Sequence, residues 1–386
     1  MGFLFKQKNN ARKAIIFDIG SGSVGGAFAH ISSDANSLPT IIKSFRKEIK
    51  FRGEFSPDLF IKDTISALNS VAISIYNEKI GVPDEIVCVL ASPWYLSETR
   101  TIKISKEHSF IFREKFASDL IKKEISKLNS EYQKKYKGID SVPELIENRI
   151  MSVLLDNHRD ENPIGKSAKS LEMSMLASLS PKLFLNKMRD TLSNTLNSRN
   201  ISFSSFMLAS YLAVRDKYVS PDSYILLDIG GEITDIGIVS RGVLETSISF
   251  PFGKNTFLRH LCANLHMELR DAGELLNLFM ADIMEEKRKN KIKPIIESIK
   301  DLWHKSFRQC VYDLRGKLQI PKTVFLTADA DIKELFIDAM KRDRKCAVVT
   351  LEGQEFLNMC SIKDNICDPF LMIEAIAIAR RKAKII

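Results

Sequence analysis

Residues 15–21, Ile15-Ile16-Phe17-Asp18-Ile19-Gly20-Ser21, are matched by residues 225–231, Ile225-Leu226-Leu227-Asp228-Ile229-Gly230-Gly231. Each copy is a short apolar run that ends on an aspartate and breaks into small residues, which reads as a buried strand feeding a tight turn. A second β-like stretch follows each turn, so the chain is expected to be an internally duplicated α/β protein. Glycine admits positive φ and lets backbone N–H groups approach phosphate oxygens, while Ser21, Ser23 and Thr234 add hydroxyl donors. Asp18 and Asp228, at the strand ends, would repel a bare phosphate. They make sense if a hydrated Mg²⁺ lies between them and a nucleotide.

Outward from the first copy, 27–31 and 41–51 read as further strands of a meander. Ser56 caps and Pro57 opens a helix with Phe60, Ile61, Ile65, Leu68, Val71 and Ile75 on one face, and Gly81-Val82-Pro83 ends it. A strand is expected at 85–90 and a lysine-rich helix over 106–148, with Phe116, Leu120, Ile121, Ile125 and Leu128 on its apolar face. Short strands near 150–155 and 171–176 and a helix from 181 to about 198 complete a compact α+β segment. A helix through 207–216 leads to the second acid-tipped strand. Beyond it come a strand pair to 252, helices at about 254–315, a strand at 323–326, and helices from 331 and from 369 to the end.

At 386 residues and 45% hydrophobic content the chain has ample material for two or three cores. Its apolar runs fall far short of the ~20 residues that span a bilayer. The first thirteen residues lack a secretory signal, and the six cysteines include no CxxC pair, so a cytosolic chain with reduced thiols is expected. His260, Cys262 and His266 share one helix, but the two histidines lie on different faces and cannot share a zinc ion. Lys6, Lys8, Arg12 and Lys13 at one end and Arg380, Arg381, Lys382 and Lys384 at the other supply eight charges of the net +9. The body is therefore nearly neutral and no nucleic acid is expected as a partner, whereas two basic ends suit an acidic partner or an anionic membrane surface. Gly20-x-Gly22-x-x-Gly25 has the dinucleotide-binding spacing, but a strand rather than a helix is expected after it and no acid stands at 38–45. Gly165-Lys166-Ser167 lacks the upstream glycine of a P-loop, where Asp160 stands.

With Asp18-Ile-Gly-Ser-Gly-Ser-Val24 as a first phosphate loop and Asp228-Ile-Gly-Gly-Glu-Ile-Thr-Asp235 as a second, the chain resembles the actin-like ATPases, and within them the bacterial FtsA and PilM branch. Phe252-Gly253-Lys254, Ala272-Gly273-Glu274 and the helix after Asp368-Pro369 occur in the order the resemblance requires, and Glu232 with Thr234 is nearer PilM than FtsA. The resemblance implies a duplicated, ribonuclease H-like, two-lobed α/β fold. Lobe I would take 1–84 with 200–222 and 370–386, a small 1C-type insert 85–199, lobe II 223–250 with 320–369, and a helical subdomain 251–319. It implies ATP and Mg²⁺ as cofactors, with Asp18 and Asp228 on the metal. Nucleotide would be held by Gly20, Ser21, Gly22, Ser23, Gly230, Gly231, Glu232, Thr234, Gly253, Lys254, Glu274, Thr327, Ala328 and Asp329.

The sequence departs from the family pattern in three places. The adenosine loop reads Thr327-Ala328-Asp329-Ala330 where glycines are usual, Asn277 replaces an expected lysine, and 201–215 offers no residue to orient an attacking water. Asp235 remains as the candidate for that role, so hydrolysis is expected to be slow or absent. The expectation is a cytoplasmic scaffold, peripheral at the inner face of the membrane, that organises a type IV pilus-like assembly through ATP-dependent closure or self-association into an oligomer or filament. Its implied partner is the cytosolic tail of an inner-membrane assembly protein. A division-type FtsA-like filament protein and a small-molecule kinase of the same superfamily stand as alternatives.

Overall fold

A computed structural model of the chain describes residues 11–32, 37–135, 142–314, 318–342 and 346–380. Lys6, Lys8, Arg381, Lys382 and Lys384, most of the two basic ends, lie outside the described residues. Within them, Arg12 pairs with Glu85 at 2.7 Å and Arg380 with Asp216 at 3.2 Å.

Three sheets organise the molecule. The first holds β1 (Arg12–Ile19), β2 (Ser23–Ile31), β3 (Thr40–Glu48), β4 (Glu85–Leu90), β9 (Ile201–Ser205) and β15 (Ser361–Ile362), in the order β15-β3-β2-β1-β4-β9. The second holds β10 (Tyr224–Ile229), β11 (Thr234–Ser240), β12 (Val243–Phe250), β13 (Thr323–Ala328) and β14 (Ala347–Thr350), in the order β12-β11-β10-β13-β14. In both, an acid-tipped strand forms an antiparallel hairpin on one side and pairs in parallel with a later strand on the other. This is the duplication expected from the repeat.

α1 (Pro57–Asn77) and α3 (Lys182–Leu196) pack together over the first sheet. Gly26 on β2 is where the strand comes closest to α1: a Cβ there would lie 2.5 Å from Val71 Cγ1. α5 (Lys254–Leu265), α6 (Leu269–Met280), α7 (Glu286–Leu314) and α8 (Lys333–Lys341) build a second core against the second sheet around Trp303 and Phe336. Between the sheets run α4 (Phe206–Lys217) and α9 (Pro369–Arg380). Phe206 to Val214 of α4 are all buried, the pattern of a helix with apolar neighbours on every side. Leu226, Leu244 and Phe325 of the second sheet share its core with α4 and the first sheet.

The third sheet, β5-β8-β6-β7, holds β5 (Leu96–Ile111), β6 (Pro143–Leu155), β7 (His158–Arg159) and β8 (Ser167–Pro181), with α2 (Glu114–Lys135) beside it. Here the expected long helix is too long: 106–111 belong to β5 and 143–148 to β6. Residues 106–109 are all exposed and 143–148 are half-buried or exposed throughout, so neither segment carries the alternation that marks a strand. Three elements also cross the expected lobe limits. β4 and α3, inside 85–199, pack with the first sheet, and β15, inside 320–369, extends it. Gly81 takes positive φ at the expected break, and Gly165 takes it in the turn before β8.

Candidate functional site

The turns after β1 and β10 meet across the space between the two sheets. Ser21 Oγ accepts from the Glu232 backbone N–H at 3.0 Å, and a Cβ on Gly231 would fall 2.5 Å from Gly22 Cα. Glycine is required at this pair because the backbones touch. Each turn is closed on itself, by Gly20 N–H to Ser23 O at 3.1 Å and Gly230 N–H to Ile233 O at 2.9 Å. Trp94 Nε1 donates to Gly20 O at 3.1 Å, and its ring lies stacked between Phe60 and Phe184. The expected Gly20, Ser21, Gly22, Ser23, Gly230 and Gly231 are thus brought together, with Asp18, Asp228 and Asp235 below them.

The space they line is about 30 Å³, room for a few waters and far less than a ligand site ordinarily needs. A nucleotide enters only if the lobes part.

The charges in this space are arranged differently in the two copies. Asp18 lies opposite Gly25 on β2, and Gly25 opposite Arg46 on β3. The Arg46 guanidinium reaches across Gly25 to Asp18 Oδ2 at 2.8 Å, Ser23 Oγ at 2.7 Å and Asp368 Oδ2 at 2.8 Å, and lies 5.2 Å from the Phe370 ring centre. Asp368 in turn accepts from the Phe370 and Leu371 N–H groups at the start of α9. Burial raises the Asp18 pKa to about 6 despite Arg46. Burial depresses the arginine, but Asp368 and Asp18 outweigh it and hold it protonated.

In the second copy Asp228 lies opposite Asp235 and beside Thr327, whose hydroxyl donates to Asp228 Oδ1 at 2.6 Å. Burial, with Asp235 adding, holds the Asp228 carboxyl well above the usual range. Asp235 accepts from Ser92 Oγ at 2.6 Å and Ser92 N–H at 3.3 Å, from the loop after β4, and burial raises it to about 6.

Several expected ligands have other employment. Both Glu232 oxygens accept from Arg259 at 2.7 Å, and Asn255 adds a bond at 2.8 Å, so this carboxylate ties its turn to α5. Thr234 is fully buried, donating to Phe252 O at 2.5 Å and accepting from Trp303 Nε1 at 3.1 Å. Because side chains alternate along β11, Asp235 on the cleft side puts Thr234 in the opposite core. Gly253 lets α5 begin against the second turn: a Cβ would lie 2.3 Å from Gly230 O, and Lys254 N–H donates to that oxygen at 3.0 Å. Glu274 is exposed on α6 and does not line the space between the turns. Ala328 and Asp329 do not take positive φ, so the missing glycines carry no left-handed strain. Asp329 faces the Lys254 ammonium at 3.6 Å, with Asp331 nearer at 2.6 Å. Nothing in the sequence marks Arg46, Ser92 or Lys254's partner Asp331 as site residues, and Asp368 is legible only as the start of the last helix; the third glycine of the 20–25 spacing, Gly25, is the one local sign of Arg46.

Mg²⁺ does not fit this arrangement. Asp18 already holds a cation, burial and Asp235 disfavour the charged form of Asp228, and little room is left between the turns. Among the described residues no three His, Cys, Asp or Glu side chains are placed to share a metal.

A larger cavity of about 660 Å³ opens between α2 and β6 of the third sheet and β9, α4 and α9. Ala117, Ile121 and Ile125 line one wall, Phe203, Leu208 and Leu212 the other, with Lys122 and Arg149 among the charged lining residues. The fully buried Glu374 also lines it. Burial and the Asp18 charge raise that carboxyl's pKa well above its usual range.

Across solved structures the chain is similar to a chain of the PilM-PilN type IV pilus biogenesis complex, with a TM-score of 0.62 over 95% of this chain and 98% of that one at 13% identity. The fold is that of the actin-like ATPases. Weaker likenesses to this fold include the ethanolamine utilization protein EutJ from Carboxydothermus hydrogenoformans (TM-score 0.43, 10% identity, 96% and 89% covered). A Bacteroides thetaiotaomicron protein described as having an actin-like ATPase fold follows (0.38, 12%, 96% and 99%). No protein-family model and no curated protein matches the sequence. Among the described residues of this actin-like chain no helix is long and apolar enough to cross a membrane.

Proposed function

We propose that the chain is a cytoplasmic actin-like scaffold, of the PilM type rather than the FtsA type, that takes ATP between its lobes and docks the cytosolic tail of an inner-membrane assembly protein. The observation that carries this reading is the meeting of two glycine turns from separate sheets, Gly22 against Gly231, across a space bridged by few hydrogen bonds. Opening at these turns, with the lobes still joined where Leu226, Leu244 and Phe325 share a core with α4, exposes both turns' backbone N–H groups to a polyphosphate. Gly20, Ser21, Gly22, Ser23, Gly230 and Gly231 are the proposed phosphate-binding residues, with Thr327, Ala328, Asp329, Gly253 and Lys254 beyond them. Asp235 is committed to Ser92 by two hydrogen bonds and 201–215 offers no other residue to orient a water, so hydrolysis is weak or absent in this reading.

The larger cavity suits the partner. Its volume falls in the ordinary range for ligand sites, and its apolar walls with a charged rim match an extended amphipathic peptide. Such a tail would place the scaffold at the inner face of the membrane, and self-association would follow on closure. Calorimetric titration of ATP into the wild type and Gly22→Val tests the nucleotide half. Heat of binding is expected for the wild type and none for the variant, whose side chain fills the phosphate approach. A silent wild type refutes it.

A further inference from the structure

Two acid-tipped hairpins of one design handle their charge by different means, and the difference lies at one register position. The row Asp228, Asp235, Ser249 across β10, β11 and β12 corresponds to the row Asp18, Gly25, Arg46 across β1, β2 and β3. Where the second row has a carboxylate in the middle, the first has a glycine, and a Cβ there would lie 2.7 Å from Arg46 Nη2. The glycine is the channel through which the guanidinium reaches Asp18. Three acceptors, Asp18, Ser23 and Asp368, take three of its five N–H donors, and Phe370 covers it from one side. Arg46 lines both the small space between the turns and a neighbouring cavity of about 310 Å³ lined by Ala328, Asp329, Gly353 and Asp368.

We propose that Arg46 is the resident cation of this site, standing where a divalent metal would otherwise neutralise Asp18, so that a nucleoside polyphosphate is bound by the guanidinium without metal. The inference rests on the nucleotide reading above and changes its cofactor. A guanidinium is always charged and offers paired N–H groups to phosphate oxygens, so it supplies both the charge and the geometry for which Mg²⁺ was expected. Asp368 adds a second function to the same contact: through its bonds to the first turn of α9, the cation is tied to the helix that runs between the lobes.

The test uses the full chain and two probes. Mn²⁺, followed by its paramagnetic resonance, reports a divalent site directly. The wild type is expected to bind none at Asp18, and Arg46→Ala to gain one equivalent that the double variant Arg46→Ala with Asp18→Asn loses. Arg46→Gln, closer in shape, gives the same gain if the alanine variant melts early. A wild type that binds Mn²⁺ and loses it with Asp18→Asn overturns the proposal, as does a folded Arg46 variant that gains nothing. ATP is then titrated into the wild type with Mg²⁺ and with EDTA. Equal affinity supports the proposal, and binding that requires Mg²⁺ overturns it while leaving the nucleotide reading intact. No binding under either condition removes the nucleotide reading and the polyphosphate half of the proposal together, and the Mn²⁺ result still decides the cation half.

Discussion

Replacing Asp235 by asparagine removes a charge that the fold holds at a cost. The carboxyl is 4% exposed and its pKa is raised from 3.8 to about 6 by burial, against the two hydrogen bonds from Ser92. An acid whose pKa is higher in the folded than in the unfolded chain stabilises fully below about pH 4. That contribution is lost as pH rises through about 6. The interval between the two values, at about 1.4 kcal/mol per pH unit, makes the loss about 3 kcal/mol by neutral pH. The uncharged amide of the variant escapes it. That amide keeps an oxygen for Ser92 Oγ but turns an NH₂ toward the Ser92 N–H, and losing that 3.3 Å bond costs about 1 kcal/mol at every pH.

The expected outcome is a crossing. Asp235→Asn is less stable than the wild type by about 1 kcal/mol at pH 4 and more stable by about 2 kcal/mol above pH 7. Urea unfolding from pH 4 to 8 measures it, and the two tryptophans serve as reporters because they sit in separate cores, Trp94 under the first sheet and Trp303 under the second. Parallel stability curves for the two proteins would show that Asp235 is not buried as a raised acid and would refute the reasoning.

Gly231→Ala introduces a methyl 2.5 Å from Gly22 Cα, and since backbone cannot yield cheaply the lobes separate at the turns. Small-angle scattering should record a larger radius of gyration with both cores intact, and an unchanged radius speaks against the tight seam. Ile121→Asp puts a charge on the apolar wall of the larger cavity. It should abolish binding of a labelled cytosolic-tail peptide by anisotropy while leaving the ATP titration unchanged; undiminished peptide binding moves the partner elsewhere.

Local pattern carried the hairpins into view: two apolar strands ending in Asp-Ile-Gly are complete signals within seven residues. The alternation along β11 was equally legible, and it already implied that Thr234 and Asp235 cannot both face the cleft. Glu232 illustrates the opposite case. Nothing near it in sequence says that Arg259, on the next helix, will hold both its oxygens, so it reads as a ligand until α5 is folded against the turn. Arg46 is hidden for a related reason. Its role depends on the register of β2 against β3 across the 32–39 connection, and register is a property of paired strands that composition does not encode. The ends of the expected helix were misread because the lysines and helical spacing of α2 dominate 106–148, while the flanking segments of β5 and β6 show no clean strand alternation of their own.

Closure of this cleft is a proton-linked event in the second lobe and an ion-pairing event in the first. Asp228 and Asp235 lie directly opposite one another on adjacent strands, so the buried pair keeps a proton that neither would hold in water. Ser92 and Thr327 donate to the pair without supplying charge. Parting the lobes admits water to both acids and releases that proton, whereas Asp18 retains Arg46 whether the cleft is open or shut, because both belong to the first sheet. Raising the pH through about 6, the value for Asp235, should therefore favour the open form. A pair of fluorescent labels, one on α3 and one on α6, should report a distance that lengthens over this range. Asp228→Asn with Asp235→Asn should hold the distance at its low-pH value throughout. A wild-type distance that ignores pH would mean the proton stays bound when the turns part, and the electrostatic account of the seam would fail with it.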